Sequence, residues 1–225
     1  MGRKVKTVAH KPKENFSHLV FVRHGESEWN AKGVWTGWTD IPLSSKGRNE
    51  AKNAAQAIKD IDFHIAFTSD LKRAQETLDI ILNDLNKHHI PKHISSAIKE
   101  RHYGEYTGKN KWQVKQKIGE VEFKRLRRGW DVPISGGESL KHVYQRVIPH
   151  FIAYIKPLIQ QGKNILFVAH GNSNRALIKY LENISDDKIS EFEIATGEVM
   201  VYRFDRNVKI VHKEKRAANP IKGLQ

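Results

Sequence analysis

The sequence predicts an α/β fold: a mostly parallel central sheet with helices on both faces. Three observations predict it. Short apolar runs alternate with longer stretches whose apolar residues recur at three-and-four spacing, the pattern of buried strands separated by amphipathic helices. Two runs, Leu19-Val20-Phe21-Val22 and Ile165-Leu166-Phe167-Val168-Ala169, are apolar at consecutive positions, as strands covered on both faces must be. Each is followed closely by a His-Gly pair, His24-Gly25 and His170-Gly171, which delivers polar groups to the rim where open α/β sheets bind ligands. If these strands are neighbours, their imidazoles lie side by side.

The elements follow in order. Residues 1–16 are basic (Arg3, Lys4, Lys6, Lys11, Lys13) with few apolar residues, and read as a flexible tail. A strand over 18–23 leads into 24–46, where Gly25, Gly33, Gly37 and Pro42 among polar residues predict loops over the sheet edge. Ala51, Ala54, Ala55 and Ile58 predict a helix over 47–60, and Ile65–Ser69 a second strand. Leu71, Ala74, Leu78, Ile81, Leu82 and Leu85 predict a helix over 70–87. After Pro91 a strand over 92–96 is expected, then a polar stretch over 99–111 and one basic helix over 111–129. Pro133, Gly136 and Gly137 make a turn. A long helix over 139–161 is expected to be kinked or broken by Pro149 and Pro157, which lack a backbone N–H. The strand over 164–169 is followed by helices over 172–183 and near 186–192. Val199–Phe204 and Val208–His212, joined by Asp205-Arg206-Asn207, predict a terminal hairpin. Residues 17–213 thus form one catalytic-sized domain, and 214–225 read as a flexible C-terminal tail.

At 225 residues, with 39% hydrophobic and 28% charged residues, the chain can bury a substantial core, and no apolar run is long enough for a membrane span. The N-terminus lacks the apolar stretch of a secretory signal, and a cytoplasmic location is expected. The absence of cysteine excludes disulfides and thiolate catalysis. A net charge of +14 attracts anions, either nucleic acid or phosphorylated small molecules, although a solvated lysine-rich surface accounts for much of it. No nucleic-acid motif is present, so no nucleic-acid or membrane partner is expected.

The chemistry rests on Arg23-His24-Gly25-Glu26. A neutral imidazole held in one tautomer attacks phosphorus when cations neutralise the phosphoryl oxygens. Arg23 is adjacent, Arg73 begins a predicted helix, and His170 can add a further hydrogen bond. The histidines are far apart in sequence and accompanied by no acidic cluster, so a metal site is the weaker reading.

These residues resemble the cofactor-dependent phosphoglycerate mutases of the histidine phosphatase superfamily. The superfamily's marks are Arg23-His24-Gly25-Glu26 and Ala169-His170-Gly171. The mutase branch is marked by Thr36-Gly37-Trp38-Thr39-Asp40, by Glu100-Arg101-His102-Tyr103-Gly104 followed by Gly108 and Asn110-Lys111, by Arg127-Arg128, and by Gly171-Asn172-Ser173. The resemblance implies that His24 is phosphorylated, that Arg23, Arg73 and His170 bind the transferred group, and that Glu100 exchanges the proton of the substrate hydroxyl. It implies hydrogen bonds from Asn30, Thr36, Gly37, Gly171 and Asn172. Tyr103, Lys111, Arg127 and Arg128 would hold the carboxylate and second phosphate, although Arg127 and Arg128 also suit an exposed basic helix. It further implies interconversion of 3- and 2-phosphoglycerate, 2,3-bisphosphoglycerate as phosphoryl primer, no metal, a phosphorylated small-molecule substrate, and a monomer or homodimer. A bisphosphoglycerate synthase or phosphatase on the same scaffold is the alternative. The chain departs from the usual pattern in its short segment from Asp131 to Glu138, in Glu105-Tyr106-Thr107, and at Asn174 and Glu198.

Overall fold

A computed structural model describes residues 16–217. The basic N-terminal segment up to residue 15 and the last part of the expected C-terminal tail, from 218, lie outside the described residues. The strands are β1 (Ser17–Arg23), β2 (Ile65–Thr68), β3 (Lys92–Ile94), β4 (Ile165–Ala169), β5 (Val199–Phe204) and β6 (Ile210–Ala217). They form one sheet in the order β3-β2-β4-β1-β5-β6. The first four are parallel, and β5 and β6 complete the sheet antiparallel. The mostly parallel sheet expected from the apolar runs is therefore present.

Side-chain alternation sorts the central strands onto two faces. Leu19, Phe21, Ile165 and Phe167 pack under α6 (Leu140–His150) and α8 (Gly171–Glu182). Val20, Val22, Leu166 and Val168 pack under α2 (Ser45–Ala57) and α3 (Lys72–Asp84). Because both faces are covered, every residue of β4 is buried.

Four expectations are corrected. A short helix, α1 (Glu28–Ala31), interrupts the loop segment after β1, nucleated by a capping box in which Ser27 and Asn30 bond reciprocally. The basic helix over 111–129 is two helices, α4 (Lys111–Ile118) and α5 (Glu120–Arg128), because Gly119 takes φ +82 and leaves the helical basin. The proline-containing helix passes from α6 through a π-helical turn, Phe151–Ile155, into α7 (Lys156–Gln160). Phe151 and Ile155 remain in the core. The hairpin's second strand begins at Ile210 rather than Val208, which has φ +63, and continues to Ala217 opposite Val199. Residues 214–217, read as tail, are therefore sheet. Among the described residues no helix is long and apolar enough to cross a membrane.

The loop after β1 is clamped to the start of α2. Ser44 caps α2 by accepting from Gly47 N–H at 3.0 Å and donates its hydroxyl to Glu26 Oε1 at 2.9 Å. Lys46 pairs with Glu26 at 3.0 Å. The two backbones touch at glycines: a Cβ on Gly47 would lie 2.0 Å from the Glu26 carbonyl oxygen, and one on Gly25 would lie 2.2 Å from that of Gly47. Overpacking of this kind costs about 1–3 kcal/mol, more than the ~1 kcal/mol a helix gains from Gly to Ala. Gly47→Ala is expected to lower the urea unfolding midpoint; an unchanged or higher midpoint would show that the contact yields.

Candidate active site

The register of β1 against β4 builds the centre of the site. Arg23 lies opposite Ala169, so His24 and His170 leave the sheet at the same level. His24 N–H donates to the Ala169 carbonyl at 2.9 Å, and the two imidazole rings stand edge to face with centroids 5.0 Å apart. A carbonyl can only accept, so the 2.7 Å contact between His24 Nδ1 and Gly25 O places the ring proton on Nδ1. Nε2 keeps its lone pair and accepts from Arg73 Nε at 3.3 Å. Burial, then the charges of Arg73 and Arg23, hold His24 well below the ordinary histidine range, against a smaller opposing effect of the Gly25 carbonyl. The ring is therefore neutral and presents a nucleophilic nitrogen.

Arg73 is held by its own bonds: Nη1 donates to Thr39 O at 3.1 Å and Nη2 to Gly37 O at 2.8 Å. Arg23 donates through Nη1 to Ile194 O at 2.7 Å. On the far side of His24, His170 Nε2 lies 2.7 Å from Ser69 Oγ. His170 precedes the first turn of α8, whose N-terminus carries Gly171 and Asn172 and favours negative charge.

Glu100 is fixed through one oxygen. Oε1 accepts from Arg101 N–H at 2.7 Å, from Asn172 N–H at 3.2 Å and from Asn172 Nδ2 at 2.9 Å. The Asn172 amide is oriented by Arg175, whose Nη1 donates to Oδ1 at 2.9 Å, and its Nδ2 also donates to Tyr103 Oη at 3.0 Å. With Oε1 occupied, Oε2 is the oxygen left to carry a proton. The main chain at Glu100 is held from both sides, by Trp38 Nε1 at 2.7 Å and Arg146 Nη2 at 2.9 Å on its carbonyl. Arg146 in turn pairs with Glu138 at 2.8 Å.

These groups line a cavity in which Arg23, Arg73, Lys111 and Arg127 face one carboxylate, Glu100. Asn30, Thr36, Gly37 and Tyr103 complete its wall. An adjoining lobe shares Arg23, Glu100, Tyr103 and Arg127 and adds Arg128, Gly171, Asn172 and Arg175. Every residue to which the resemblance gives a role in the site therefore lies in this wall or, for His170, directly against His24. Arg127 and Arg128 turn inward. Arg125, two residues earlier, is exposed and pairs with Glu122. Arg128 is also paired with Glu193. Arg23 Nε, Thr36 Oγ1 and His170 Nδ1 are buried without a hydrogen-bond partner among the described residues. Unpaired donors among excess cations fit a ligand rich in anionic oxygens. Among the described residues no group of three or more His, Asp or Glu is placed to hold a metal ion.

Sequence reasoning missed Ser69, Arg101, Arg146 and Arg175. Ser69 carried a signal, as the polar residue directly after an apolar strand. Arg101 lay inside one of the family's motifs without an assigned role, whereas Arg146 and Arg175 carried no signal, since their partners are mostly carbonyls brought together by folding.

Crowding of like charge has a measurable cost. Burial, then Arg127, Arg23 and Arg128, lower Lys111 from 10.5 to about 7. The unfolded chain binds the Lys111 proton more tightly than the folded one, so this destabilisation is complete below pH 7 and fades as pH rises toward the unfolded value. Lys111→Met is expected to raise the Tm of the ligand-free protein most below neutrality and progressively less at alkaline pH. A Tm difference independent of pH across that range would refute the crowding.

The profile of the histidine phosphatase superfamily (branch 1) matches residues 19–215. The 2,3-bisphosphoglycerate-dependent phosphoglycerate mutase of Nitrobacter hamburgensis is 44% identical over 202 residues, covering 89% of this chain and 98% of that protein. Phosphoglycerate mutase 2 of Lactiplantibacillus plantarum, also named as dependent on the bisphosphate, is 41% identical, covering 88% and 97%. Among solved structures, a mycobacterial glucosyl-3-phosphoglycerate phosphatase superposes with a TM-score of 0.76 at 21% identity, covering 90% of this chain and all of the other. Phosphoglycerate mutase from Bacillus anthracis gives 0.68 at 22%, covering 86% and 90%. The chain belongs to the histidine phosphatase superfamily, and within it to the family of the 2,3-bisphosphoglycerate-dependent phosphoglycerate mutases.

Proposed function

We propose that the protein interconverts 3-phosphoglycerate and 2-phosphoglycerate, a step of glycolysis and gluconeogenesis, through a phosphohistidine at His24. The observation that carries this reading is the neutral His24, its Nε2 unprotonated and held by Arg73 Nε, its ring centroid 5.0 Å from that of His170, beside four cations and one positioned carboxylate. Relatives of similar length that share more than two fifths of their residues with this chain carry the same activity in their names.

The geometry supports the following roles. His24 Nε2 attacks phosphorus in line and holds the phosphoryl group, while Arg73, Arg23 and His170 neutralise and orient its oxygens. Glu100 Oε2 takes the proton of the substrate's free hydroxyl as that oxygen attacks phospho-His24, and returns it to the ester oxygen that leaves in the second half-reaction. Asn172, Arg175 and Tyr103 keep the carboxyl in place for both. Lys111, Arg127 and Arg128, with Asn30, Thr36 and Gly37, bind the carboxylate and the phosphate that is not being transferred. The unpaired Arg23 Nε and Thr36 Oγ1 and the surplus of cations suit a doubly phosphorylated anion, and bound 2,3-bisphosphoglycerate supplies the first phosphoryl group. Burial of His24 keeps water from phosphohistidine, which separates a mutase from a phosphatase.

Conversion of 3- to 2-phosphoglycerate is expected to be stimulated by a trace of the bisphosphate and insensitive to chelators. Release of inorganic phosphate without 2-phosphoglycerate would instead establish a phosphatase. His24→Ala is expected to lower kcat by more than about 10³-fold and abolish protein phosphorylation while leaving the unfolding midpoint little changed. Retained turnover would refute the nucleophile. Lys111→Ala is expected to act mainly on KM, and an unaltered KM would remove Lys111 from the binding set.

A further inference from the structure

Ser69 is assigned no role by the family's marks, yet it meets the second histidine directly. β2 runs parallel to β4 with Thr68 opposite Val168, so the residue that follows β2 stands beside the rim from which His170 projects. Both Ser69 and His170 are completely buried. We infer that Ser69 is a positioning residue that holds the proton of His170 on Nδ1, where it donates to the phosphoryl group transferred to and from His24. This rests on the phosphohistidine reading above.

The argument is one of proton accounting. Ser69 Oγ accepts from the Leu71 N–H at 3.2 Å and lies 2.7 Å from His170 Nε2. A hydroxyl has one proton, and among the described residues that proton has no other acceptor than Nε2. A ring nitrogen that accepts is unprotonated, and a neutral imidazole then carries its proton on the other nitrogen. Burial, followed by the charges of Arg73 and of His24, keeps the His170 ring neutral. Among the described residues Nδ1 makes no hydrogen bond, and the ring stands against His24. An Nδ1–H there completes the ring of donors around the phosphoryl oxygens. The opposite tautomer would bury an unpaired hydroxyl proton and turn a lone pair toward those oxygens. His24 and His170 thus both carry the proton on Nδ1, for opposite ends: a carbonyl frees Nε2 of His24 as nucleophile, and a hydroxyl frees Nδ1–H of His170 as donor.

Two-bond ¹H–¹⁵N correlation spectra of the full-length protein near neutral pH, without substrate, test this directly, with His170 assigned by its loss in His170→Asn. In the wild type, Nδ1 is expected to show the protonated shift and Nε2 the unprotonated one. In Ser69→Ala the ring is expected to move to Nε2–H or to average, kcat is expected to fall about 10²-fold with KM little changed, as for loss of one oxyanion donor, and Ser69→Thr is expected to restore both readouts. A wild-type ring protonated at Nε2, or a Ser69→Ala variant with unaltered tautomer and kcat, would overturn the assignment. The spectra do not depend on which ester is turned over. If the wild type released phosphate rather than forming 2-phosphoglycerate, the mutase reading would fail, and the Ser69 assignment would be decided by the spectra and by the rate of phosphate release.

Discussion

The pairing of β1 with β4 is the constraint on which the rest depends. Arg23 opposite Ala169 sets two histidines, separated by most of the chain, at one height on one rim. A slip of one residue would exchange the faces of β1, sending Phe21 toward α2 and α3 and Val22 toward α6 and α8. The two cores therefore hold the register, and the register holds the imidazoles 5.0 Å apart. Their placement is a by-product of burying eight apolar side chains in two neighbouring strands.

Around that pair the protein tolerates an arrangement that favours function over stability. Among the described residues, Arg23, Arg73, Lys111 and Arg127 share their cavity with one carboxylate, Glu100. Burial lowers Arg73 and Arg127 to about 10 each, and Lys111 further still. Such cations are costly to bury and become favourable when an anion arrives, so the charge imbalance is itself a binding device. Orientation costs little by comparison, since Arg73 and Arg175 are tied to main-chain carbonyls that need donors in any case.

The departures from sequence expectation share one physical character. Gly119 divides a continuous helical pattern because a glycine at positive φ serves as the end of one helix and the start of the next. Pro149 and Pro157 pointed to a break without showing its form. The chain takes a π turn between them, which keeps Phe151 and Ile155 in the core. Strand β6 runs through Lys213 to Arg216, where composition suggests a tail, because main-chain pairing to β5 asks nothing of the side chains. Local pattern reports propensity, and each of these choices was made by tertiary contacts.

The sequence by itself determined the fold class and the two strand-end histidines, because apolar runs and the residues that end them are local and written in residue order; Glu100 and the cations beyond Arg23 and Arg73 were legible only through the resemblance to a family. Only the tertiary structure decided their hydrogen bonds: which nitrogen of His24 faces a carbonyl, which oxygen of Glu100 accepts, and that Ser69, Arg146 and Arg175 bond to His170, the Glu100 carbonyl and Asn172. Hydrogen-bond direction depends on what lies opposite an atom in space, and residues such as Ser69 and His170 meet only after the sheet has formed.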